Sequence, residues 1–181
     1  MAGQRLTDKT ALTEQTGSGD LFMVVDVNDT TGSSAGTSKK IDSKFVIQTD
    51  KFSLTNAEVK LLSHGASPKT LVGALSGYMV TVFNVTVLVT FPGGLPTPET
   101  SASVLLFGYD TSSAVRYWAS KAKFQFGSTD NDSYMFAPQG HQAATDNDSL
   151  VNKAFYMYSS AAFNGDWSCD VYVTYAYTKI L

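Results

Sequence analysis

Cysteine occurs once in this chain, at Cys169, so no intrachain disulfide can form and no thiol pair is available for zinc or redox chemistry. Charge is scarce as well: 16% of the 181 residues are charged and the formal net charge is -3. Without a basic patch, neither nucleic acid nor an anionic membrane surface has an electrostatic foothold. Glutamate appears only at Glu14, Glu58 and Glu99, none of them beside an aspartate in a strand, which leaves paired-carboxylate sugar hydrolysis without its two acids. The longest apolar stretch, 78–91, is interrupted by Thr81, Asn84, Thr86 and Thr90 and is too short and too polar for a bilayer span. Arg5, Asp8, Lys9 and Glu14 stand where the apolar core of a secretory leader would lie, so a soluble protein assembled in a cytoplasm is expected.

What is present reads as β structure. The hydrophobic share of 43% is ordinary for a packed domain and argues against wholesale disorder. Residues 1–19 are polar and end on the turn Gly17-Ser18-Gly19. Leu21 to Val27 is a strand bounded by glycine and Asn-Asp, 28–38 a loop, and Ile41 to Ile47 a second short pairing element. Two strands alone enclose no core, so residues 1–50 form an arm that docks on something else, and 51–181 form the main domain. Thr55 followed by Glu58 is a capping box opening a helix of about two turns, with Val59 and Leu62 on one face and Gly65 and Pro68 as its stop. Further strands are expected at 70–74, 78–91, 103–109, 115–119, 121–126, 133–136, 150–159 and 168–178. In the second of these Met79, Thr81, Phe83, Val85, Val87, Val89 and Phe91 alternate as the apolar face. Many short strands, Gly/Asn/Asp turns and a single helix predict an all-β protein, an antiparallel β-sandwich or jelly-roll-like domain with one short helix, preceded by an extended N-terminal arm.

Three acidic groups are candidate cation ligands: Asp26/Asp29, Asp130/Asn131/Asp132 and Asp146/Asn147/Asp148. Calcium is the ion they would suit, but none has EF-hand spacing, and Asp and Asn form turns through their own side chains, which is the leading reading. His64 and His141 stand in loops without a second imidazole or thiol at ligand spacing. No metal site, no cofactor and no catalytic residue is therefore expected, and a Ser-His-Asp hydrolase is not. Tyr109, Trp118, Tyr158 and Trp167 are candidate interface aromatics, with contact to a glycan as the alternative.

The run Asp20-Leu21-Phe22-Met23-Val24-Val25-Asp26-Val27-Asn28-Asp29-Thr30-Thr31, followed by Ser34-Ala35-Gly36-Thr37-Ser38-Lys39-Lys40-Ile41, resembles a segment near the start of many tailed-phage fibre and virion appendage proteins. Leu54 to Val59, Thr70 to Ala74 and the ending Ser168 to Tyr175 are similar to a β-rich module of phage structural proteins. The resemblance implies a virion structural protein, assembled in the bacterial host cytoplasm, whose partners are other virion proteins and copies of itself, with a trimer preferred. It implies that Asp20, Leu21, Val24, Asp26, Val27 and Asp29 belong to the attachment segment. The long repetitive shaft of a fibre is absent, which favours a short capsid- or tail-associated decoration or adaptor. The alternative is a receptor- or glycan-binding module of a phage appendage.

Overall fold

The structure is a computed structural model that describes residues 21–32, 34, 36–42, 45–62, 67–109, 117–139 and 150–180. The chain divides into two compact units, Met1–Val46 and Ile47–Leu181.

The described part of the first unit is a hairpin. β1 (Leu21–Asp26) pairs antiparallel with β2 (Thr37–Asp42), in a register running from Leu21↔Asp42 to Asp26↔Thr37. β1 is the strand its β-branched and aromatic composition predicts. β2 is not where the sequence places the second element: it begins at Thr37, inside the expected loop, and ends at Asp42. Ser38, Lys39 and Lys40 carry no apolar alternation, so pairing with β1 rather than propensity makes them a strand. Gly36, at φ 112°, takes the left-handed bend that starts it. The expected turn Gly17-Ser18-Gly19 and the polar segment before it lie outside the described residues.

The second unit opens with β3 (Gln48–Leu54), followed by α1 (Asn56–Leu61), β4 (Lys69–Val72), β5 (Tyr78–Thr90), β6 (Leu105–Gly108), β7 (Tyr117–Lys121), β8 (Asp132–Phe136), β9 (Phe155–Ser159) and β10 (Ser168–Lys179). One sheet has the order β3-β10-β5-β8 and the other β4-β9-β6-β7, and all neighbours are antiparallel. Apart from the β6–β7 hairpin, each strand is followed by one in the opposite sheet. That alternation and that order are those of an eight-stranded jelly roll. The core between the sheets is filled from one side by Val80, Val82, Val85, Val87, Val89, Val171 and Val173 and from the other by Leu71, Leu105, Phe107, Phe155 and Met157.

The sequence reading misplaces the inward face of β5. Met79, Thr81 and Phe83 do not continue the face of Val85, Val87 and Val89; Val80 and Val82 do, and Phe83 is 44% exposed. The cause is a bulge: Thr174 pairs with Asn84 and Tyr175 with Val82, so Phe83 is one residue extra against β10. An inserted residue reverses the period-two phase, and here it puts the valines before and after it on the same side.

Three other boundaries differ. The sequence assigns 48–50 to the arm and 51–54 to the approach to the helix, yet β3 is an edge strand of the main sheet, because β10 supplies a partner from Cys169 to Tyr175. Residues 121–126 are not a strand: β7 ends at Lys121, and Lys123 and Gln125 have φ of 49° and 59°, which no strand accommodates. In 150–159 only Phe155–Ser159 is a strand, since Asn152 at φ 62° breaks the run after Val151 bridges to Met79. The capping box is present: Thr55 Oγ1 accepts from Glu58 N at 3.3 Å and Glu58 Oε2 accepts from Thr55 N at 2.9 Å. Val59 and Leu62 are both buried.

Candidate functional site

In the hairpin, the acidic stretch resolves into a clasp around one lysine. Lys39 Nζ lies 2.9 Å from Asp26 Oδ2 and 2.8 Å from Asp29 Oδ2. The remaining oxygens hold the turn: Asn28 N donates to Asp26 Oδ1 at 3.1 Å, and Thr31 N and Thr31 Oγ1 donate to Asp29 Oδ1 at 3.0 and 2.6 Å. The Lys39 ammonium and the Thr31 donors hold the Asp29 carboxyl down to about 2. Both aspartates are thus engaged by a lysine and by backbone, the arrangement of a turn.

Apolar side chains in and just after β1 face solvent. Met23 is 68% and Val27 69% exposed, and Val24 is also open to solvent. The register sets Val24 against Lys39 and Met23 against Lys40, so the apolar strand is paired with a cationic one and, within the described hairpin, has no second layer over it. Of the expected attachment residues, Leu21, Val24 and Asp26 are in β1, Val27 and Asp29 follow it, and Asp20 lies outside the described residues.

The other acidic groups do local work. Asn131 Oδ1 accepts from Phe91 N at 2.8 Å, and Asp132 Oδ2 accepts from Tyr134 OH at 3.0 Å. Asp146, Asn147, Asp148, His64 and His141 lie outside the described residues. Among the described residues no three His, Cys, Asp or Glu side chains gather as metal ligands. Burial pushes the Cys169 thiol up to about 12, which removes it as a nucleophile. Gly32-Ser33-Ser34-Ala35-Gly36 has the spacing of a nucleophile elbow. It joins two antiparallel strands, however, whereas an elbow requires a strand-to-helix turn.

Two of the four singled-out aromatics are inside the fold. Trp167 and Tyr158 are 0% exposed within a single chain, so neither presents a ring to a glycan or to a neighbouring subunit; the area such rings bury makes the interior their favoured place. Tyr109 and Trp118 are partly buried. Both rings stand edge-on to Phe155, with centroids at 5.1 and 5.7 Å, and Tyr109 OH donates to Val80 O at 2.8 Å.

The most elaborate polar structure in the second unit was not singled out from sequence. Glu99, in the loop between β5 and β6, is 0% exposed. Its carboxylate accepts from Ser101 N and Gly165 N, both at 2.9 Å, from Asn164 N and Trp167 Nε1, both at 3.1 Å, and from Ser101 Oγ. Burial works to raise its pKa, but the hydrogen bonds from Ser101, Gly165 and Trp167 outweigh it, and the group stays ionised below the usual range. The turn Asn164-Gly165-Asp166 before β10 is held from outside too. Asp166 accepts from Thr97 N at 3.0 Å and from Lys60 Nζ at 2.9 Å, and Asn56 Nδ2 donates to Gly165 O at 2.8 Å. A Cβ on Gly165 would come within 2.9 Å of Glu99 N. Every donor around Glu99 belongs to the chain itself and the group is sealed from solvent, so it braces one end of the sandwich and cannot reach a substrate. An open groove of about 470 Å³ is lined by Thr55, Asn56, Thr90, Pro92, Asp166 and Ser168, and its Asp166 carboxylate is the one held by Thr97 N and Lys60 Nζ.

The outer face of the β3-β10-β5-β8 sheet carries exposed apolar side chains. Phe83 and Leu88 of β5 and Met135 of β8, the last 77% exposed, open onto it. In register across the strands run Met135, Thr86, Tyr172 and Lys51. Lys51 is ion-paired with Asp170 at 2.8 Å, which leaves this row without uncompensated charge.

No protein-family model matches the sequence, and no curated protein matches it either. A solved structure described as a cyanophage Pam1 capsid asymmetric unit aligns with 97% of this chain and 98% of that one, at 16% identity and a TM-score of 0.33. A score at that level does not establish a shared fold.

Proposed function

We propose that the chain is a structural component of a tailed-phage virion, a capsid- or tail-associated decoration or adaptor that docks through its N-terminal segment and assembles with copies of itself through its jelly-roll domain. The observation that carries the reading is the strand order β3-β10-β5-β8 over β4-β9-β6-β7. Jelly rolls serve as capsid and lectin domains among other roles, and fold alone does not choose between them. The resemblance of residues 20–41 to virion attachment segments favours the first. So does the hairpin, whose exposed Met23, Val24 and Val27 and open strand edges suit addition to a neighbour's sheet. The outer face bearing Phe83, Leu88 and Met135 is the surface for self-association, and a trimer is the state the resemblance suggests. The glycan-binding alternative has less support, because Tyr158 and Trp167 are internal.

Limited proteolysis with mass detection tests this reading, on the protein alone and after mixing with assembled particles that lack it. Cleavage within 1–46 in the free protein, suppressed on the particle, is the expected result. Equal cleavage in both states with no particle binding would overturn docking through the hairpin.

A further inference from the structure

The chain contains one Asn-Gly dipeptide, Asn164-Gly165, and it lies against the Glu99 brace. Asn-Gly is the dipeptide most prone to spontaneous succinimide formation, because glycine puts no side chain in the way of ring closure. In that step the Gly165 nitrogen attacks Asn164 Cγ. The new N–Cγ bond forms as the Cγ–Nδ2 bond breaks, and the proton lost from Gly165 N leaves with Nδ2 as ammonia. Water then opens the ring to aspartate or to isoaspartate, the latter with an extra methylene in the main chain.

We propose that Asn164-Gly165 is a latent deamidation site that the native fold holds unreacted by gripping both reacting partners. The nucleophile is engaged, since Gly165 N–H donates to Glu99 Oε2 at 2.9 Å. The electrophile is gripped at three points by the loop after Glu99. Asn164 Oδ1 accepts from Thr100 N at 2.9 Å and Ser101 N at 3.2 Å, and Nδ2 donates to Thr100 Oγ1 at 2.7 Å. Ring closure must break these bonds to swing Cγ onto the nitrogen. It must also develop negative charge on a nitrogen beside an ionised carboxylate, which Coulomb repulsion opposes. The two amides on Oδ1 would favour an oxyanion there, so the protection is geometric: it lies in holding Cγ to the neighbouring loop and Gly165 N to Glu99. Gly165 is buried but Asn164 is exposed, so the protection lies in these hydrogen bonds and not in exclusion of water. Loss of the grip is irreversible in its consequence. Conversion to aspartate puts a second carboxylate on Ser101 N, which Glu99 already shares, and the isoaspartate adds a methylene to the backbone of a turn tied to Glu99 and Thr100.

The test is a time course of amide-to-acid conversion at position 164 by peptide mapping in mildly alkaline buffer, for the full chain folded, for the same chain in urea, and for the folded variants Thr100→Ala and Glu99→Gln. Conversion in the folded chain is expected to be at least about tenfold slower than in urea, since breaking even one net hydrogen bond of the cradle costs up to about that factor. Both variants are expected to convert faster than the folded parent. Thr100 is exposed, so Thr100→Ala decides the matter if Glu99→Gln does not fold. Equal rates in folded and unfolded chains, no conversion in urea, or folded variants as slow as the parent would each overturn the proposal.

Discussion

Trp167 Nε1 donates to Glu99 Oε2 at 3.1 Å in a place neither residue shares with solvent. The indole is the largest buried side chain of the core, and its single polar atom is satisfied by an anion from a loop 68 residues away in sequence. That anion also fixes the turn leading into β10, a strand paired on both sides in its sheet. One carboxylate therefore ties the packing of the core to the closure of the sandwich.

Glu99→Ala is expected to cost about 3 kcal/mol or more, because it strands several buried N–H and O–H donors at once. Urea denaturation of parent and variant measures it. The pH dependence follows from the lowered native pKa. The stabilisation is fully present above the ordinary glutamate value of 4.5 and is lost as pH falls through the lowered native value. The stability gap between parent and variant should accordingly be widest near neutrality and shrink in acid. A gap that stays constant down to the acid-unfolding limit would show that the carboxylate's charge is immaterial.

The bulge at Phe83 is tested by two changes at one position. Phe83→Ser removes a half-exposed ring and should alter stability by about 1 kcal/mol at most. Deleting Phe83 leaves Val82 and Val85 two positions apart, so a plain ladder without the bulge keeps Val80, Val82, Val85, Val87 and Val89 all inward. No valine is turned outward, where each would cost about 1.5–3 kcal/mol, and the deletion variant should still fold cooperatively by circular dichroism. A deletion variant that does not fold would mean that the sheet requires the bulge itself.

What could be read from sequence is what depends on near neighbours. Thr55 and Glu58 are three residues apart and their capping box needs nothing else, and the β-branched run of β5 declares a strand by composition. Phe83 could not be placed, because its bulge exists only relative to Thr174 and Tyr175 of β10. Thr37 and Ser38 read as a loop because their strand character comes from β1. Glu99 gave no signal at all: its donors at 164, 165 and 167 are brought to it by the closure of the whole sandwich, and Pro-Thr-Pro-Glu-Thr-Ser reads only as a loop. The jelly roll was within reach as a class, but its strand order was not, since it is defined by pairings between distant segments.

Thr55→Ala tests the one fully local element. A six-residue helix has no independent stability, so its first turn relies on the cap and on the burial of Val59. Losing the Oγ1 acceptor should cost about 1 kcal/mol, seen as a lower urea midpoint with an unchanged m-value. An unchanged midpoint would assign the helix's stability to Val59 and Leu62 alone.

Lys39→Gln tests the clasp of the hairpin. The Asp29 carboxyl is held down to about 2 first by the hydrogen bond from Lys39 and then by those from Thr31, and Asp26 is lowered by the same ammonium and by Asn28. Replacing the ammonium with a neutral amide removes the leading cause at both sites and leaves the turn donors in place. In a pH titration followed by NMR, both carboxyls should therefore move up, Asp29 stopping short of its unperturbed 3.8 because the Thr31 donors remain. The pairs are exposed, so salt should reproduce part of the upward shift in the parent protein by screening. If Asp29 titrates at the same low value in the variant, the Thr31 turn rather than Lys39 holds it, and the lysine is free to serve an incoming partner.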